Sequence, residues 1–148
     1  MQDFYRKIIM EELYRYVIYK ESIDSLKGQL KELEEKKFSY GVAKYGPDEG
    51  KGSGDNKEEA KIINTNSKIY NLQKNIGRAE EIIKRYDDAL DKLDYMDKEI
   101  LISLYGHKGK RDGRLNDLID KYHYEKSTLY RIANCALEEV SLRLYGDA

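Results

Sequence analysis

The feature that most constrains this chain is a regular apolar pattern near its middle. Ten positions follow one another at alternating steps of three and four residues: Ile62, Thr65, Ile69, Leu72, Ile76, Ala79, Ile83, Tyr86, Leu90 and Leu93. This spacing keeps one stripe of an α-helix against a neighbouring helix. The pattern therefore predicts a long helix packed lengthwise on a partner. Gly77 lies inside it and either allows a close helix crossing or is simply tolerated, at a cost of about 1 kcal/mol relative to alanine.

A similar stripe lies nearer the start of the chain. Its positions are Ile9, Leu13, Tyr16, Tyr19, Ile23, Leu26, Leu30 and Leu33, with charged residues between them. The charged residues are typical of a solvated helix face with ion pairs one turn apart. The stripe predicts a first helix from about Asp3 to Lys37.

The segment between the two stripes favours a loop. Residues 39–57 hold five of the eleven glycines and the only proline of the chain, and these residues interrupt helices and strands. The stretch "GPDEGKG" is not a phosphate-binding loop, because Gly46 and Gly50 enclose three residues instead of four. We therefore predict a glycine-rich connector and no nucleotide or other cofactor.

Two helices joined by such a loop fold back most simply as an antiparallel coiled-coil hairpin. The same stripes could also pair between two copies of the chain, which would give a homo-oligomer. A new apolar pattern begins after Leu93, and Asp94 and Asp97 are suitable residues to cap a helix there. We predict an all-α protein with a hairpin domain over residues 1–94 and a second domain over residues 95–148.

Three helical patterns follow the boundary: "DKEILISLYG", "RLNDLIDKYH" and "EKSTLYRIANCALEEVSLRLYG". The outer two end in Leu-Tyr-Gly, and Gly106 and Gly146 are predicted to adopt the left-handed conformation that ends a helix. The last two patterns are joined by a tight turn at His123, with apolar residues on facing sides. They predict a helix-turn-helix.

The final helix is predicted to turn a polar side outward. That side comprises Lys126, Ser127, Thr128, Tyr130, Arg131 and Asn134. Hydroxyl and lysine side chains bind DNA phosphates, and arginine and asparagine bind guanine and adenine edges in the major groove. A solvated helix of a small bundle would show the same pattern.

A basic loop precedes the predicted helix-turn-helix. It contributes Lys108, Lys110, Arg111 and Arg114, and residues 107–131 carry seven basic and four acidic side chains. The whole chain has a net charge of −1, which argues against a uniformly basic nucleic-acid coat. A local positive surface is predicted instead.

The residues from Leu93 to Leu144 resemble the promoter-reading, C-terminal helix-turn-helix domain of bacterial sigma factors. The most specific part is the run Ser127 to Arg131, "STLYR", which is similar to the family's ser-thr-val-tyr-arg. The full layout resembles phage-encoded transcriptional regulators of the ArpU and RinA type. Differences from the sigma pattern are His123 in place of the turn glycine, Ile119 in place of a small alanine, and Glu125 in place of a capping serine.

Other kinds of site are not predicted. His107, His123 and Cys135 lie on a loop, a turn and a helix face assigned to packing, which does not converge on a metal. Cys135 is predicted to be a small packing residue. No nucleophile or carboxylate pair has a catalytic arrangement. Without an apolar segment of roughly 20 residues or a leader pattern, no membrane contact is expected and the cytoplasm is the expected compartment.

These observations favour a phage or prophage transcriptional regulator that binds double-stranded DNA and acts without catalysis, with a hairpin that provides either a dimerisation surface or a surface for RNA polymerase. Two alternatives stay open. One is the DNA-recognition subunit of a phage terminase, which would form a ring. The other is a module that grips RNA polymerase without touching DNA, which the nine basic and nine acidic residues of Tyr95 to Ala148 also allow.

Overall fold

The fold consists of five helices in the part of the chain that the computed structural model describes, residues 1–43 and 55–148. The helices are α1 (Asp3–Ala43), α2 (Asp55–Leu90), α3 (Tyr95–Tyr105), α4 (Asp112–Tyr122) and α5 (Lys126–Tyr145). These two ranges contain no strand. The predicted all-α class is confirmed. None of the helices described is both long enough and apolar enough to cross a membrane.

The first two helices form the predicted antiparallel hairpin. One compact unit contains Met1–Glu21 together with the end of α2, and the other, Ser22–Glu80, contains the rest of α1 and the start of α2. The start of one helix therefore packs beside the end of the other. All ten stripe positions from Ile62 to Leu93 are buried or half-buried, as the heptad pattern predicts.

The unit Ser22–Glu80 is a two-helix coil with a thin core. Thr65, Ile69, Ile76 and Ala79 of α2 are buried in it. The stripe of α1 is only half-buried here, because two helices alone cannot enclose every apolar side chain. Lys27 and Glu80 form an ion pair across the helices at 2.9 Å, with both side chains about half exposed.

Both hairpin helices extend into the residues predicted to be loop. Helix α1 ends at Ala43 instead of Lys37, and α2 already begins at Asp55. The single Gly41 costs a helix only about 1 kcal/mol, which α1 tolerates. The rest of the predicted loop, residues 44–54, lies outside the described residues.

The other compact unit, Met1–Glu21 with Glu81–Ala148, has one continuous core. Ile9, Leu13 and Tyr16 of α1 are buried in the same cluster as Leu101 and Leu137 of the C-terminal helices. The predicted division at residues 94 and 95 falls at the start of α3, four residues after the end of α2, whereas the compact units divide the chain after Glu21 and after Glu80. The start of α1 and the end of α2 together cover the apolar faces of α3 and α5.

Partly buried hydrogen bonds hold the hairpin within this unit. Glu12 accepts hydrogen bonds from the hydroxyls of Tyr86, at 2.7 Å, and Tyr145, at 2.6 Å. Tyr16 donates to Asp87 at 2.6 Å. Burial, and then the hydrogen bond to Glu12, raises the pKa of Tyr86, so its hydroxyl stays protonated and keeps donating. These bonds connect α1 to both α2 and α5.

Two helix-ending glycines have different roles. Gly146 has φ 72° and ends α5 in the predicted left-handed conformation. Gly106 has φ −83°, so the same prediction for it is wrong. A Cβ atom at Gly106 would lie 2.6 Å from the carbonyl oxygen of Ile102 and 3.0 Å from Val17 Cγ2. Glycine is needed there first because a Cβ would overlap the carbonyl of Ile102 in the last turn of α3, and second because the Val17 side chain of α1 lies close by.

Gly77 shows the opposite situation, because a Cβ atom built on it meets nothing within 4 Å. Within the chain it is therefore tolerated and serves no close crossing.

We expect Gly77→Ala to raise the free energy of unfolding by about 1 kcal/mol through helix propensity. Gly106→Ala should lower it by about 2 kcal/mol through steric overlap. Urea denaturation measures both, and equal effects of the two substitutions would contradict the assignment of Gly106 as a close-approach position.

Candidate nucleic-acid interface

A three-residue turn joins α4 to α5 and forms the predicted helix-turn-helix. His123 ends α4 with φ 60° and ψ 30°, and its backbone N–H donates to the carbonyl of Ile119 at 2.8 Å. It is the only non-glycine residue with positive φ in the described ranges. Glycine adopts this conformation at no steric cost, whereas histidine adopts it under strain. The turn between α4 and α5 therefore has the left-handed backbone that glycine adopts most easily, although histidine occupies the position.

Helix α5 presents one apolar and one polar side. The buried side consists of Leu129, Ala133, Ala136, Leu137 and Val140. On the other side Lys126, Ser127, Arg131 and Asn134 are exposed. Glu125 precedes the first turn without a side-chain cap, so the first amide groups of α5 are left for solvent or a ligand.

Three α5 residues differ from the prediction. Thr128 and Tyr130 are half-buried instead of fully outward, and the Tyr130 ring lies 6.5 Å from that of Tyr105. Cys135 is exposed, so its predicted packing role is wrong. Successive helical residues are about 100° apart, and the alanines at 133 and 136 already occupy the packed side.

The side-chain oxygen of Asn134 is already occupied within the chain. Its Oδ1 accepts from the Tyr105 hydroxyl at 2.8 Å and from Arg6 at 3.3 Å. A carbonyl oxygen has two lone pairs, so both are used and only the amide donors remain. The predicted bidentate contact with adenine would require one of these bonds to break.

Of the four cations predicted to lie in the loop, three precede α4 and Arg114 lies within it. Lys108 and Lys110 are exposed, and Lys108 contacts the Tyr14 ring at 4.3 Å and Glu11 at 3.7 Å. Arg111 lies over the ring of Tyr105, with 5.1 Å from its guanidinium carbon to the ring centroid.

Arg114, by contrast, turns inward. Its Nε donates to the carbonyl of Ser103 at 2.9 Å, while Nη2 is buried without a partner in the described chain. It therefore holds α4 against α3 and offers little to an external ligand.

Helix α4 has an acidic outer surface. Asp117 and Asp120 are exposed on it. Glu99 of α3 binds Lys121 at 2.7 Å and also accepts from Tyr122. Hydrogen bonds from Lys121 and then Tyr122 lower the pKa of Glu99, so this carboxylate stays ionised at neutral pH. Exposed carboxylates thus lie on α4, whereas Lys108, Lys110, Lys126 and Arg131 are exposed in the loop and on α5.

Two basic residues at this site were missed in the sequence. Arg6 reaches Asn134 across 128 positions of the chain, and Lys7 lies with Lys108 and Arg111 in one groove. The sequence pattern places both in the hairpin, which separates their charges from those of the predicted C-terminal domain. Only the core packing of α1 against the C-terminal helices brings them here.

The comparisons with known proteins supply no relative. No family model matches the chain, and neither a curated protein nor a solved structure shows significant similarity to it. Among the described residues, no three metal-ligating side chains are grouped to hold an ion. The interpretation of this surface therefore rests on its geometry and charge.

His123 provides a test of the turn. We expect His123→Gly to raise the free energy of unfolding by up to about 1 kcal/mol, because glycine relieves the left-handed strain. His123→Val should lower it, since a branched Cβ is least compatible with positive φ. His123→Ala is the control for loss of the imidazole alone. Urea denaturation distinguishes them, and a destabilised glycine variant would contradict the strained turn.

Proposed function

We propose that this protein is a DNA-binding transcriptional regulator of a phage or prophage, acting in the cytoplasm by binding and not by catalysis. The observation that carries the proposal is the polar side of α5. Lys126, Ser127 and Arg131 are exposed opposite a continuous apolar side, next to a basic loop. A reading helix needs this arrangement to enter a major groove while staying attached to its domain.

Individual residues would have separate roles in such a complex. Arg131 carries a planar guanidinium that fits the two acceptors of a guanine edge. Lys126 and Ser127, in the first turn of α5, suit phosphate oxygens together with the free amide groups there. Asn134 keeps only donors and would therefore favour an acceptor such as guanine O6 or thymine O4.

The charge distribution supports one direction of approach. The loop and α5 present cations, whereas α4 presents Asp117 and Asp120. In a helix-turn-helix complex the first helix usually crosses the DNA backbone, and carboxylates there repel phosphates. We therefore infer that the duplex lies towards the loop side of α5.

Removal of Arg131 tests the proposal. A pool of random duplexes is incubated with the full chain, and the retained DNA is sequenced. Arg131→Ala should weaken binding to the enriched sequence by about tenfold, the loss expected for one bidentate base contact. The matched control is Arg143→Ala, on the same helix but paired with Glu139 at 2.7 Å, and it should behave like the wild type.

The alternatives give different outcomes of the same experiment. A wild-type protein that retains no duplex at low salt would overturn the proposal. Co-purification with RNA polymerase in that case would favour the module that binds polymerase without DNA. If light scattering gives the molar mass of a ring-sized oligomer and DNA is also retained, the terminase-like interpretation is favoured over a regulator.

A further inference from the structure

The first turns of α1 are connected directly to the outward side of α5. Arg6 donates to the Tyr105 hydroxyl at 3.2 Å and to Asn134 Oδ1 at 3.3 Å. Tyr105 itself donates to the same Asn134 oxygen at 2.8 Å. A guanidinium has five N–H donors, and these bonds use two of them. Arg6 therefore sits at the edge of the reading surface with donors to spare.

Positive charge accumulates at this point without a counter-charge. The Arg6 guanidinium carbon lies 5.5 Å, and that of Arg111 5.1 Å, from the ring centroid of Tyr105. The ring is buried, with only 4% of its residue surface exposed. In the described parts of the chain neither arginine has a carboxylate partner. Two cations beside one ring repel each other, and a bound anion would relieve that repulsion.

A groove extends the cationic region along α1. It has a volume of about 500 Å³, and its lining includes Lys7, His107, Lys108 and Arg111. Glu11 is the one carboxylate in that lining, and it already pairs with Lys108 at 3.7 Å and with Arg15 at 3.5 Å. Lys7 is exposed and has no partner among the described residues. The groove therefore has an excess of uncompensated positive charge.

The position of the groove identifies the anion that would fill it. Tyr105 lines the groove and also contacts Tyr130 and Asn134 of α5. In a duplex read by α5, the sugar-phosphate backbone must pass beside the reading helix. Phosphates of that backbone are then the anions nearest to Arg6 and Lys7.

We propose that the N-terminal turns of α1 are part of the DNA-binding surface, where Arg6 and Lys7 bind backbone phosphates beside the base-reading side of α5. This inference rests on the proposed DNA binding and adds a contact from the hairpin. The contact is independent of sequence, so it contributes affinity and not specificity.

Salt dependence of binding tests this inference without knowledge of the operator. The full chain is titrated with a random-sequence duplex over a range of salt concentrations. Each phosphate contact contributes about 0.9 to the slope of log affinity against log salt. Lys7→Ala and Arg6→Gln should each reduce the magnitude of this slope by about one, and the double variant should reduce it by about two.

Lys37→Ala is the matched control, because Lys37 is exposed on α1 in the other compact unit. Lys37→Ala removes one positive charge, as Lys7→Ala does, and should leave the slope unaltered. Helix content and urea midpoints check that Arg6→Gln, which also loses internal bonds, remains folded. Lys7→Ala removes no internal bond and keeps the test valid even if Arg6→Gln unfolds.

The outcomes separate the two proposals. If the wild type binds DNA and both single variants keep its slope, the α1 contact is wrong and the proposed function stands. If the wild type binds no DNA, both are overturned. A slope that falls in Lys7→Ala but not in Lys37→Ala supports the contact.

Discussion

The fold depends on one shared apolar core between the start of α1 and the three C-terminal helices. Ile9 and Leu13 are fully buried against a cluster that includes Leu101, Leu129 and Leu137. Burying one such side chain stabilises a fold by about 1.5–3 kcal/mol. A segment of 54 residues from Tyr95 to Ala148, with nine acidic and nine basic side chains, has few apolar residues for this purpose. The hairpin supplies the missing ones.

This shared core also determines the composition of the candidate site. Tyr105 at the end of α3 contacts α1 through Arg6, the loop through Arg111 and α5 through Asn134. The site is therefore assembled from three separate stretches of the chain. A nearly neutral C-terminal segment gains positive charge at the polar side of α5 from α1, while Asp117 and Asp120 lie on α4.

Much of this architecture could be predicted from the sequence, because helix periodicity is a local property. The stripe positions, the helix-turn-helix and the exposed side of Arg131 all follow from the spacing of apolar residues. The spacing also predicts a turn at His123, and the structure shows there a left-handed backbone that the spacing does not specify.

Contacts between distant segments could not be predicted in this way. Gly106 is constrained in part by Val17, which approaches it from α1, and Asn134 loses its acceptor only because Tyr105 and Arg6 reach it. Arg114 resembles a surface cation in the sequence but binds the carbonyl of Ser103. Arg6 and Lys7 lie at the site because α1 packs against the C-terminal helices. The apolar stripe of α1 indicates that this helix has a partner, but it does not indicate which one.

The dependence of the helix-turn-helix on the hairpin can be measured directly with a fragment of residues 95–148. Without Ile9, Leu13 and the end of α2, its apolar faces are open to water. The fragment should show a poorly dispersed amide NMR spectrum and no cooperative urea transition, whereas the full chain should show both dispersion and a cooperative transition. A fragment that unfolds cooperatively with a dispersed spectrum would contradict the shared core and restore an independent C-terminal domain.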